Sequence, residues 1–163
     1  MTLKQLPSSK IFEQLDQFQP TLERWRFKGY RLVFTNGCFD VLHAGHIHLL
    51  SSAKGFGDKL IVGLNSDDSV RALKGPSRPI NHTLDRATLL ASLIFVDAVI
   101  VFEEATPLKL IEYVQPQVLV KGGDYQLQDI VGADTVLHNG GKVEIVPFKQ
   151  GYSSTSIIDK GAK

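Results

Sequence analysis

Two histidines three residues apart, His43 and His46, stand with Gly45 between them in the stretch 35-TNGCFDVLHAGHIHLL-50, just after a short apolar run. On a helix this spacing puts both imidazoles on one face. Gly45 keeps that face bare, so a bulky anion can approach the backbone, and a helix start adds unpaired N–H groups and positive potential. The combination outlines a phosphate site. Incidental surface histidines are the bland alternative, since short motifs match by chance. Metal binding reads less well: His48 lies around 200° from His46 on a helix, and no cysteine pair or HExxH pattern accompanies the histidines. No protein metal site is assigned.

Other residues can serve the same anion. Lys74 and Arg78 flank a Gly-Pro turn in 74-KGPSRPINH-82, where a point charge and a planar fork would offset the charge of a bound phosphate. The composition of this loop lacks an apolar face to pin it, so it is expected to be a mobile flap. Ser153, Ser154 and Thr155 precede an apolar stretch, an N-cap signature that also offers donors to phosphate. Asp40, three residues before His43, can orient a histidine, bind magnesium or cap the helix. Arg86 lies early in a helix, where its charge opposes the dipole and calls for a charge partner or a ligand. Asn65 and Asp67 suit helix capping as well as ligand contact. Cys38 reads as a small buried residue.

The elements that must hold these groups alternate. Strand candidates are Leu32 to Thr35, Lys59 to Leu64, Ala98 to Phe102, Val118 to Lys121 and Val143 to Pro147. Helix candidates lie at 44 to 55, 66 to 73, 83 to 94, 106 to 114, 127 to 138 and 153 to 160. The order implies an α/β Rossmann-like, doubly wound, five-stranded parallel sheet with helices on both faces. Ligands of such sheets bind beyond the carboxyl ends of the strands. Residues 1 to 29 form a helical extension with apolar positions at Ile11, Phe12, Leu15, Phe18, Leu22 and Trp25, which Pro20 should break or restart; residues 30 to 163 are the main domain.

Composition narrows the partners. The 163 residues suit one core, and a formal net charge of +1 gives no global pull toward nucleic acid or membrane. One cysteine and no apolar run of membrane length fit a soluble, cytoplasmic protein. The N-terminus has no secretory pattern.

The stretch 35 to 50 resembles the signature of the HxGH nucleotidyltransferases. The segments 62-VGLNSDDSVRALKGPSRPIN-81, Asp85-Arg86, 119-LVKGGDY-125, 130-IVGAD-134 and 151-GYSST-155 resemble the D-glycero-β-D-manno-heptose 1-phosphate adenylyltransferases, over about residues 30 to 160. That family makes ADP-heptose for the lipopolysaccharide core, alone or fused behind a sugar kinase, and this chain looks like the stand-alone version. The resemblance implies ATP and a heptose 1-phosphate as substrates, Mg2+ as cofactor, and a homo-oligomer, a dimer among the possibilities. It implies catalysis by His43, His46, Lys74 and Arg78. Nucleotide contacts are implied at Thr35, Asn36, Gly37, Phe39, Asp40, Gly45, Lys121, Gly122, Asp124, Ser153, Ser154 and Thr155, and substrate contacts at Asn65, Asp67 and Arg86. A cytidylyltransferase acting on glycerol 3-phosphate and a non-catalytic nucleotide-binding module are the rival expectations.

Overall fold

The computed structural model describes residues 7–147 and 153–161. Its strands are β1 (Ile11–Phe12), β2 (Leu32–Gly37), β3 (Lys59–Asn65), β4 (Ala98–Phe102), β5 (Val118–Gly122) and β6 (Lys142–Val146). The helices are α1 (Leu15–Phe27), α2 (Ala44–Lys54), α3 (Asp67–Lys74), α4 (Thr83–Ser92), α5 (Leu108–Val114), α6 (Ala133–His138) and α7 (Ser154–Gly161). All strand pairs are parallel, in the order β1-β4-β3-β2-β5-β6.

Alternation within the strands builds two apolar layers. Leu32, Phe34 and Ile61 face one layer with Phe18, Leu22 and Trp25 of α1, Leu110 and Val114 of α5 and Val136 of α6. Val33, Leu60, Val62 and Leu64 face the other, with Leu50 and Ala53 of α2 and Ala87, Leu90 and Ala91 of α4. From β2 the chain winds outward through β3 to β4, then crosses back to β5 and β6. The reversal opens a crevice between the carboxyl ends of β2 and β5, where such sheets bind ligands.

The sheet has six strands where five were expected. The extra one, β1, sits in the segment read as helical: Ile11 pairs with Val99 and Phe12 with Ile100. Two residues are too few for a period, and the pairing partner is the open edge of β4 far along the chain. Pro20 does not break α1. Its missing N–H removes one helical bond, while Phe18, Leu22 and Trp25 anchor the helix to the core on either side. The helix expected at 127 to 138 is divided into a 3-10 turn (Leu127–Asp129) and α6. Gly132 lies between them at φ +83°, and a Cβ there would stand 2.6 Å from Ile111 Cδ1, so the chain turns tightly over α5. Among the described residues no helix is long and apolar enough to cross a membrane.

Phe18 is fully buried and meets Phe12 and Trp25 edge to face, with ring centroids 5.0 and 5.6 Å away. Phe18→Ala is expected to destabilise the fold by about 3–5 kcal/mol in urea denaturation. A loss under about 1 kcal/mol would mean that the N-terminal segment is not part of the cooperative core.

Candidate active site

The crevice is a cleft of about 510 Å³. Asn36 and Gly37 at the end of β2, Cys38 to Asp40 after it, His46 on α2, Lys121 and Gly122 at the end of β5, and Asn65 with Lys74 around α3 all reach it. Residue types alone did not single out Thr106 and Pro107 after β4, or Tyr125, Asp129 and Val131 after β5, which also line it. The rule that ligands sit beyond strand ends points to both loops.

His43 is the N-cap of α2: its Nδ1 accepts the Gly45 N–H at 3.1 Å. This bond fixes the tautomer, because the accepting nitrogen carries no proton and Nε2 is left as the donor. The His43 and His46 rings stack 3.8 Å apart, and Phe39 packs on His46 at 5.1 Å between centroids. Phe39 holds a left-handed φ of +46°, and a Cβ on Gly37 would stand 3.0 Å from its ring, so Gly37 makes room for this stack. His46 Nδ1 is buried and has no partner among the described residues. Burial, with His43 and Lys74 adding like charge, holds the His46 imidazole at a pKa of about 4. At neutral pH His46 is therefore a neutral hydrogen-bond donor.

Across the cleft, Lys121 Nζ donates to Asn36 Oδ1 at 2.9 Å and lies 5.8 Å from the Tyr125 ring centroid. Burial lowers the Lys121 pKa, opposed by the nearby Cys38. Cys38 is half-buried, and burial pushes its thiol pKa up, so it is a poor nucleophile. The Thr35 hydroxyl is buried with no partner among the described residues, and Thr35 does not line the cleft.

Several expected contacts have other jobs. Arg86 is fully buried, and its five N–H donors meet Asn81 O, Cys38 O, Asn65 O, Asp67 Oδ1 and Thr83 Oγ1 at 2.7–3.1 Å. The charge partner its position called for is Asp67, and no donor is left over for a substrate. Burial alone would raise the Asp67 carboxyl, but bonds from Arg86, His82 and Thr83 hold it at about 2. Neither Asn65 nor Asp67 caps α3. Ser66 does, accepting from Ser69 N, while the Asn65 amide donates to Ser69 Oγ.

Asp40 is not a helix cap either. Its buried carboxylate accepts Arg78 Nε at 2.6 Å and the Ile80 and Asn81 amides at 2.8 and 3.0 Å. The flap read as unpinned is thus held through 78 to 81 by polar bonds, whereas Lys74, Pro76 and Ser77 are exposed. Arg78 is paired with Asp40 and is not among the residues that line the cleft, although its Nη2 has no partner among the described residues. Asp124 is exposed after β5. At α7 the Ser153 hydroxyl accepts from Ser156 N as a cap, Ser153 and Thr155 are exposed, and the Ser154 side chain, with Gly151 and Tyr152, lies outside the described residues.

The profile of the cytidylyltransferase-like family matches residues 34–160. The bifunctional protein HldE of Koribacter versatilis is 57% identical over 138 residues, 85% of this chain and 28% of that protein. HldE of Caulobacter vibrioides is 54% identical over 143 residues, 88% of this chain and 30% of that protein. The chain thus spans less than a third of the length of these relatives. A lipopolysaccharide core biosynthesis protein from Thermoplasma volcanium has a solved structure with TM-score 0.61 and 30% identity, covering 77% of this chain and 100% of that one. Pantoate-beta-alanine ligase from Francisella tularensis superposes with TM-score 0.62 over 93% of this chain and 76% of that one at 17% identity, a likeness of fold alone.

The depressed His46 pKa has a sign. The folded state resists protonation of His46 between 6.5 and about 4, so the stability this group contributes is complete above 6.5 and is lost as pH falls through that window. In urea denaturation across this range, His46→Gln is expected to lose stability less steeply than the parent. Equal slopes would show that His46 is not held neutral by its burial.

Proposed function

We infer that this chain, which belongs to the cytidylyltransferase-like family, transfers AMP from ATP to D-glycero-D-manno-heptose 1-phosphate, giving ADP-heptose and pyrophosphate. One observation carries the reaction class: a neutral imidazole at the start of α2 faces the same cleft as Lys74 and Lys121, a donor among cations as phosphoryl chemistry requires. The acceptor rests on likeness in sequence. The family-specific segments resemble heptose 1-phosphate adenylyltransferases, and the relative at 30% identity is a lipopolysaccharide core biosynthesis protein.

An oxygen of the sugar phosphate attacks the α-phosphorus of ATP; the new P–O bond forms as the bond to the β-phosphate oxygen breaks. The nucleophile is already ionised, so the protein supplies position and charge stabilisation and no base. His43 and His46 donate to the α-phosphate oxygens. Lys74, and Arg78 with the donor capacity left beyond its Asp40 bond, offset charge on the departing pyrophosphate, with the start of α7 assisting. Asn36, Lys121 and Gly122 border the nucleotide. Among the described residues no group of three or more His, Cys, Asp or Glu is placed to hold a metal ion. Mg2+, when bound, would be carried on the triphosphate by phosphate oxygens and water. When bound there, the ion neutralises phosphate charge. Residues 30–163 form the transferase unit in this reading, to which 1–29 add β1 and α1.

Pyrophosphate release is expected with ATP and heptose 1-phosphate, and much less with hexose 1-phosphates, whose missing groups leave polar partners unpaired. Faster turnover with CTP and glycerol 3-phosphate would overturn the assignment. His46→Ala should lower kcat by about 10²–10³-fold, as loss of one transition-state donor does, with little change in ATP affinity. A variant that keeps near-normal kcat, or is inactive only because it unfolds, would remove His46 from the mechanism.

A further inference from the structure

The flap and the HxGH loop are joined at one carboxylate. The Asp40 side chain is fully buried. One oxygen accepts Arg78 Nε and the other accepts the Ile80 and Asn81 amides, while the Asn81 side chain donates back to the Asp40 carbonyl at 2.8 Å. Directly alongside, Arg86 donates to both Cys38 O and Asn81 O. Residues 38 to 40 and 78 to 81 are therefore stitched together from two sides. Lys74, which lines the cleft, begins the short segment that ends at this stitched point. Three of the carboxylate's roughly four acceptor sites are taken up by the flap, so most of what Asp40 can bind is already bound to protein.

We propose that Asp40 is a positioning residue that acts through Arg78, setting where the flap, and with it Lys74, sits over the triphosphate. The kinetic part of this proposal rests on the nucleotidyl transfer inferred above; the structural part does not. An asparagine at 40 keeps an acceptor for the two amides but turns an N–H2 group toward Arg78 Nε, where two donors cannot bond. It also leaves a largely buried guanidinium without its counter-charge, which loosens the flap rather than the core.

The first test needs no substrate. In site-resolved hydrogen exchange of the free protein, Asp40→Asn is expected to speed exchange of the Ile80 and Asn81 amides at least tenfold, with β2 and β3 amides unchanged. Unaltered protection at Ile80 and Asn81 would overturn the proposal, whatever reaction the protein catalyses. The second test is a double-mutant cycle with Arg78→Gln. Asp40→Asn should lower kcat/KM for ATP about tenfold in the parent, within the range seen for contacting pairs, and less than about twofold in the Arg78→Gln background. Additive losses, or a defect relieved by raising Mg2+, would instead place Asp40 on the substrate or the metal and sink the idea. Should Asp40→Asn not fold, Arg78→Gln alone decides: faster exchange at Ile80 and Asn81 supports the coupling, and unchanged exchange refutes it.

Discussion

Arg86 is a guanidinium taken wholly out of water, and the loops around the cleft are arranged as that burial demands. An unpaired buried charge costs several kcal/mol, and a buried pair is tolerated only when the remaining donors are also satisfied. Arg86 meets this condition by drawing on five residues from four places: the loop after β2, the end of β3, the first turn of α3, and the junction of flap and α4. Displacing any of the four strands a donor. The walls of the cleft are thereby held in register by one side chain that no substrate needs to touch.

A division of labour among the cations follows. Two arginines near the cleft are neutralised by acids, Arg86 by Asp67 and Arg78 by Asp40, and these pairs shape the walls. Two lysines, Lys74 and Lys121, face the cleft, and Lys121 is partnered there by a neutral amide. The net charge of +1 thus says little about the site, because attraction for an anion is made locally by leaving chosen cations without acids.

The sequence shows the frame of this arrangement better than its joints. The parallel sheet, the cleft beyond β2 and β5, and His46, Asn36, Lys74 and Lys121 around it were legible, because strand ends and helix starts carry short-range patterns. That Arg86 needs a partner was legible, but which groups it and Asp40 would bond was not. Each depends mainly on partners 19 to 48 positions away, and a sequence displays an Arg or Asp near a motif without showing whether it faces ligand or protein. The same limit explains β1: its pairing with β4 spans about ninety positions, whereas its two residues hold no period of their own. The anchor of the flap escaped for a related reason, since its composition lacks apolar anchors and the bonds that hold 78 to 81 come from a distant buried carboxylate.

The histidines complete the logic of a rigid wall facing a partly free flap. Charge that grows on a phosphate during reaction is stabilised most by donors that need not move to meet it. His43 is fixed by its own capping bond to Gly45, His46 by rings on both sides, and neither would need protonation for the role proposed. A protonated His46 would bind ground-state triphosphate more tightly through charge, which lowers KM without lowering the barrier from the bound state. In the proposed transfer, burying His46 so that it stays neutral would forgo that uniform attraction and keep its contribution as a directed hydrogen bond, which strengthens as the oxygen it meets gains charge. In that proposed reaction the uniform attraction would fall to Lys74, on the exposed half of the flap, where a point charge can follow the pyrophosphate as it departs.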